Sequence, residues 1–265
     1  MSSTGRKNDG GEKTDRQEKD NYPTPLWAIR SIIAAIWHGA SDPANRPAGR
    51  PLSVLDPCVG EGGFLLELAK LTTRWPEARR PVLQGVEIRD DAAREAHLAL
   101  ARLDASARIV LGDFLSSSTD VGDCFDLVLT NPPYGEEGTD LATKFVQRSL
   151  DRVRVGGQVV MLLRLNWVCD GEERYQRASW LADGNVPDVV ALTRRPSFVG
   201  GGTDSCGYGA LRWIKGRYRT EGSFRVIPCR APGVLPVLEG HGFSIAHDRP
   251  DDWRKKPKRK TSDDA

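Results

Sequence analysis

Four consecutive residues, Asn131, Pro132, Pro133 and Tyr134, close an apolar run that reads DLVLT. A run rich in β-branched and large aliphatic side chains forms a buried parallel strand. Proline cannot donate a ladder hydrogen bond, so the strand must end there. What the motif carries to the strand tip is chemical. The Asn131 side-chain carbonyl and the Pro132 backbone carbonyl can each accept one hydrogen of an amino group, drawing its nitrogen toward tetrahedral geometry and aiming its lone pair. The prolines stiffen the loop that holds those carbonyls. Tyr134 offers a flat face on which a planar ring can stack.

Three other predicted strands end in carboxylates. SVLDPCVGEGGF places Asp56 and Pro57 at the end of the first, followed by Gly60, Gly62 and Gly63 ahead of a helix. Glycines let the chain turn sharply and let a ligand lie against bare backbone. VLQGVE ends in Glu87, about 25 residues past the loop, where a carboxylate can accept both hydroxyls of a ribose. LGDF supplies Asp113 to accept from an adenine amino group, with Phe114 beside the base plane. The three acids fit a nucleoside ligand. VGEGGF lacks the third glycine of a dinucleotide fingerprint, which favours S-adenosylmethionine, with no pyrophosphate to hold, over NAD.

The elements that must position these residues follow from periodicity. PTPLWAIRSIIAAIWHG has Leu26, Ile29, Ile32, Ile33, Ile36 and Trp37 at helical spacing, with Pro25 at its start. Short apolar runs then alternate with helical segments near residues 63–72, 90–103 and 140–154. Past Gly184, VPDVVALTRRPSF and GYGALRWIKG read as two strands joined too closely for a crossover, hence antiparallel neighbours. The predicted fold class is α/β: a Rossmann-like, seven-stranded, mostly parallel sheet with helices on both faces and a C-terminal antiparallel hairpin. Ligands in such sheets bind beyond the carboxyl ends of the strands, where the acids and NPPY fall.

These residues resemble the amino-methyltransferases that act on adenine in DNA. DPCVGEGGF is similar to their cofactor loop and NPPY to their catalytic motif. YPTP, Tyr22 to Pro25, is similar to the short motif ahead of their first helix. The order of the three is that of the gamma group, and the resemblance spans about residues 22–216. It implies that Tyr22, Thr24 and Pro25 with Asp56, Pro57, Gly60 and Gly62 hold the methionine part of S-adenosylmethionine. It assigns Glu87 to the ribose, Asp113 and Phe114 to the cofactor adenine, and Phe145 to the pocket wall. Asn131 lies between cofactor and target, while Tyr134 and Phe198 would pack against an adenine flipped out of the duplex. Arg194 and Arg195 open a basic stretch suited to a phosphate backbone. The rivals are adenine in RNA, a protein glutamine amide held by the same acceptors, and a non-catalytic module on a methyltransferase fold. The glutamine enzymes lack the TP helix.

Composition bounds the rest. The 265 residues carry a formal charge of +2, yet between Arg194 and Arg230 eight basic side chains face two acidic ones. That asymmetry points to nucleic acid, most simply double-stranded DNA. No run reaches the roughly 20 apolar residues of a membrane span, and the polar start has no signal-peptide core, so a cytoplasmic place is expected. Five cysteines without a CxxC pair imply free thiols and no metal site. The expected organisation is a disordered tail at 1–20, a catalytic domain at 21–220, a small extension at 221–247 that could serve as a reduced recognition element, and a basic disordered tail at 248–265. So short a remainder after the hairpin fits a stand-alone enzyme of phage or mobile-element type, or one whose target specificity comes from a partner.

Overall fold

The computed structural model describes residues 23–37, 50–134, 140–169, 177–196, 198, 206–227, 229 and 231–243. Both predicted tails and Tyr22 lie outside the described residues.

The chain alternates as the periodicity requires: α1 (Leu26–Ile36), β1 (Ser53–Asp56), α2 (Gly63–Leu71), β2 (Val82–Glu87), α3 (Asp90–Ala101), β3 (Ala107–Leu111) and β4 (Phe125–Thr130). There follow α4 (Leu141–Arg152), β5 (Val153–Arg164), α5 (Asn166–Cys169), α6 (Arg177–Ala182), β6 (Asp188–Leu192), β7 (Tyr208–Ile214), β8 (Phe224–Ile227) and α7 (Ala231–Gly240). The strands form one sheet in the order β3-β2-β1-β4-β5-β7-β6-β8. Strands β3, β2, β1, β4 and β5 are parallel neighbours, and β7 runs antiparallel to both β5 and β6.

The sheet has eight strands rather than the seven expected. The eighth, FRVI, pairs parallel with β6 from Val189↔Phe224 to Leu192↔Ile227. It is an edge strand whose Phe224 and Val226 remain exposed, so it lacks the buried apolar run that marks the inner strands. The expected boundary near residue 220 is no break in the fold, because β8 extends the sheet and α7 packs on α1. Phe243, just after α7, stacks on Trp75 and meets Trp37 edge-on at 5.1 Å.

Two apolar cores sandwich the sheet. Helices α1, α2, α3 and α7 cover one face through Ile32, Leu65, Leu68, Leu100 and Leu238. Helices α4, α5 and α6 cover the other through Phe145, Val146 and Trp167. Strand β4 sits at the centre with all six residues buried, as its apolar run predicts. Its one charged member, Asp126, accepts from the Ser53 amide at 2.9 Å, from Arg154 Nε at 2.5 Å and from Arg50. Burial alone would raise this carboxyl; the hydrogen bonds from Ser53 and Arg154 and the Arg50 charge outweigh it and hold it below its ordinary range. The strand order reverses between β1 and β4, so the loops leaving their carboxyl ends diverge and open a crevice there.

Candidate active site

The crevice is a cavity of about 450 Å³ whose wall includes Pro57, Cys58, Gly60, Glu87, Asp113 and Phe114 on one side and Asn131 to Tyr134 on the other. Sites for small ligands run from about 300 to 1,000 Å³, so the volume suits a nucleoside-sized molecule.

The loop after β1 is shaped by what lies under it. Gly62 caps α2 with φ +95°, a left-handed backbone that favours glycine. Gly85 of β2 clears space beneath the loop: a Cβ there would stand 2.8 Å from Val59 Cβ. The Gly60 amide donates to Glu87 Oε2 at 2.8 Å, while Glu87 Oε1 accepts from the Arg89 amide at 3.0 Å and from its Nε at 3.1 Å. Glu87 therefore fixes the glycine loop as well as facing the cavity. A carboxylate has about four lone-pair sites, so these three bonds leave room for a ribose hydroxyl. Asp113 uses Oδ1 for the Leu115 amide at 2.9 Å, leaving Oδ2 toward solvent. Phe114 stacks on Phe145 with centroids 5.6 Å apart, under the Arg148 guanidinium. The carboxylate acceptors and flat apolar walls fit a ribose and an adenine.

Asp56 is 1% exposed and lies below the cavity wall, accepting from the Cys58 amide at 3.1 Å. Burial, helped by the nearby Glu87 charge, pushes its carboxyl up to about 7. Burial and the neighbouring Asp56, Glu87 and Asp113 charges push the Cys58 thiol well above its ordinary value, which favours the protonated form.

At the tip of β4 the structure joins motifs far apart in sequence. Asn131 Nδ2 donates to Thr24 Oγ1 at 3.2 Å across 107 residues of chain. Asn131 Oδ1 accepts from the Tyr134 hydroxyl at 2.9 Å, and that hydroxyl also lies 3.3 Å from the Leu162 carbonyl. Pro25 ends the approach to α1 with its carbonyl accepting from the Ala28 and Ile29 amides. The TP motif is thus a clamp on the NPPY loop.

The remaining predicted residues stand further back. Phe198 is buried against Tyr208, centroids 5.2 Å apart, as part of the core between α1 and the sheet. This placement makes it a rear wall of the NPPY side rather than an open platform. Arg194 is exposed with its guanidinium 5.0 Å from the Trp27 ring centroid, and Arg195 is exposed beside it. Ile88 and Arg89, next to Glu87, and Leu115 and Leu141 line the cavity without having been anticipated. Ile88 alone had a readable signal, an aliphatic residue immediately after a strand-end acid, and it is 68% exposed. All five cysteines are free. Among the described residues no helix is long and apolar enough to cross a membrane.

Comparison with known proteins agrees with this geometry. Residues 13–154 match the N-6 DNA methylase family. A release factor glutamine methyltransferase of Mycolicibacterium smegmatis is 26% identical over 172 residues, 57% of this chain and 58% of that protein; the chain thus spans less than two thirds of that relative. Among solved structures, a class I S-adenosylmethionine-dependent methyltransferase from Listeria monocytogenes superposes with TM-score 0.58 at 12% identity, over 83% of this chain and 71% of that one. The M protein of the type I restriction enzyme EcoKI gives TM-score 0.57 at 19% identity, over 77% and 47%. Likeness at such identities establishes the methyltransferase fold, and the sequence match over more than half of the chain establishes more: this protein belongs to the N-6 DNA methylase family.

Proposed function

We propose that this protein transfers a methyl group from S-adenosylmethionine to the 6-amino group of adenine in double-stranded DNA. The observation that carries the reading is the Asn131–Thr24 hydrogen bond. It ties the catalytic motif to the TP motif, the feature that separates DNA adenine enzymes from the glutamine enzymes with which NPPY is shared. The basic stretch that begins at Arg194 and Arg195 supports a phosphate backbone as the partner.

Residues at the β1, β2 and β3 tips would hold S-adenosylmethionine, which would supply a methyl group made electrophilic by its sulfonium. The chain's residues do the rest. Glu87 would accept a ribose hydroxyl, Asp113 would accept from the adenine amino group, and Phe114 with Ile88 would enclose the base. Asn131 Oδ1 and the Pro132 carbonyl accept the two hydrogens of the target amine and localise its lone pair. Before the target arrives, the Tyr134 hydroxyl occupies Oδ1, so the amine takes the place of that hydroxyl as the ring turns to stack on the flipped base. Stacking of about 1–3 kcal/mol per base offsets part of the cost of extrusion. The methylated nitrogen is acidic and releases its proton to water. No histidine or thiol is called upon.

Two expectations concern the cofactor side. Glu87→Ala removes both the ribose acceptor and the anchor of the Gly60 amide, and cofactor affinity should fall about ten- to hundredfold, as measured by calorimetry with S-adenosylhomocysteine. Asp56, with its carboxyl near pH 7, should add a pH dependence. The carboxylate form attracts the cationic amine of the cofactor, so affinity should rise on the order of tenfold from pH 5.5 to 7.5, then decline as an α-amino group deprotonates near 8. Asp56→Asn should flatten the acidic limb; an unchanged limb removes Asp56 from that role.

The function itself is tested by giving purified protein labelled S-adenosylmethionine with duplex DNA, RNA and glutamine peptides as acceptors, and by sequencing methylated bases in DNA from cells that express it. Label in N6-methyladenine of duplex DNA is the expected outcome. Transfer only to peptide, favoured by the likeness to the glutamine methyltransferase, or to nothing, overturns the reading.

A further inference from the structure

Arg164, the last residue of β5, has no counterpart among the motif residues, yet it stands against the catalytic loop. Its guanidinium carbon lies 5.1 Å from the centre of the Tyr134 ring. Its Nε donates to the Tyr208 hydroxyl at 3.1 Å. Tyr208 is fully buried at the start of β7, paired with Arg164 across the antiparallel ladder, so its phenol cannot swing away. Its ring meets Tyr134 edge-on at 5.9 Å and Phe198 edge-on at 5.2 Å. The fork of Arg164 is thereby held by a rigid acceptor, with its guanidinium carbon over one side of the Tyr134 ring.

We infer that Arg164 and Tyr208 form a positioning pair for the base-stacking tyrosine, resting on the function proposed above. A cation over one face of an aromatic ring is attracted by the ring quadrupole. It also covers that face, which leaves the opposite face of Tyr134 for the target base and sets which way the ring can turn. When the Tyr134 hydroxyl leaves Asn131 Oδ1, the contact with Arg164 keeps the ring from wandering during the exchange. Arg164 acts through Tyr134 and needs no contact with the reacting atoms. The need for one nitrogen on Tyr208 while the guanidinium carbon stays over the Tyr134 ring explains an arginine rather than a lysine.

Three variants read this out: Arg164→Met, which keeps the stem and loses the cation; Arg164→Lys, which keeps the charge and loses the fork; and Tyr208→Phe, which loses only the acceptor. With unmethylated duplex DNA and labelled S-adenosylmethionine, kcat should fall roughly tenfold in Arg164→Met and less in the other two. Affinity for S-adenosylhomocysteine and the thermal midpoint should stay close to wild type. DNA affinity in the presence of S-adenosylhomocysteine should weaken in the same order as kcat. Wild-type kcat in Arg164→Met overturns the inference, as do losses that merely follow cofactor affinity or the thermal midpoint. The function can fail separately: wild-type transfer to peptide alone would overturn the DNA reading while the same kinetics on that acceptor test the pair. A wild-type protein that transfers to nothing overturns both.

Discussion

Asn131→Ala should reduce methyl transfer by about a hundred- to thousandfold or more, the cost of deleting one preorganised polar group at a reacting centre. Cofactor affinity should remain within a few-fold of wild type. The distinction follows from the site's division of labour. In the proposed function Asn131 would face the target amine through Oδ1, which here accepts from Tyr134, and it meets the TP motif through Nδ2, whereas Glu87 at the end of β2 and Asp113 and Phe114 just past β3 would meet the cofactor's ribose and base. Single-turnover rates with bound labelled cofactor, set beside calorimetry with S-adenosylhomocysteine, separate the two effects. Near-normal turnover would remove Asn131 from the chemistry. A parallel collapse of cofactor binding would instead make it a scaffold residue of the loop.

The second large effect should come from Asp188, far from the chemistry. This residue opens β6, is 4% exposed, and accepts from Arg212 at 2.9 Å, Arg219 at 2.6 Å, the Ser223 amide at 3.0 Å and the Ser223 hydroxyl at 2.5 Å. It joins β7 and the approach to β8 in one knot. Burial would raise its carboxyl; the hydrogen bonds from Ser223, Arg219 and Arg212 outweigh it and hold it well below the usual carboxylate range. Asp188→Ala leaves the half-buried Arg212 and Arg219 guanidinium groups without their carboxylate, and the loss should be about 3 kcal/mol, the low end for a buried pair because both arginines are partly exposed. At roughly 2–4 °C per kcal/mol for a domain near this size, the thermal midpoint should fall by about 10 °C. The sign of the pH dependence follows from the lowered folded value. The carboxylate's contribution is fully present above the ordinary carboxylate value near 4 and is lost as pH falls through the lower value of the folded state. Wild type should therefore lose stability steeply below about pH 4, and Asp188→Asn should soften that loss. Equal acid sensitivity of the two proteins would show that the knot does not govern it.

Much of the fold was legible because its signals are local. β4 announces itself as an apolar run closed by two prolines, whereas the antiparallel β6–β7 pairing was expected from the eight residues between the predicted strands and is found although the strands formed stand 15 residues apart. Edge strand β8 was missed for the converse reason, since none of its four residues is buried and Arg225 interrupts the apolar run. Phe198 shows a second limit. An aromatic in a hairpin connection has the same local signature whether it faces a ligand or the core, and only the contact with Tyr208 distinguishes them. Arg164 shows a third, because a charged residue ending a strand reads as a solvated tip unless its cross-strand partner is known to be buried.

By itself the sequence determined the parallel sheet, the carboxylates at the tips of β1, β2 and β3, and the Asn131–Tyr134 loop at the tip of β4. Each of these depends on residue type and on position within one element. The tertiary structure alone decided that Thr24 meets Asn131, that Glu87 holds the Gly60 amide, that the Tyr134 hydroxyl rests on Asn131 Oδ1, and that Arg164 is held by Tyr208. Those contacts join residues brought together only when the sheet closes, and hydrogen bonds between distant segments leave no period in the chain to be read.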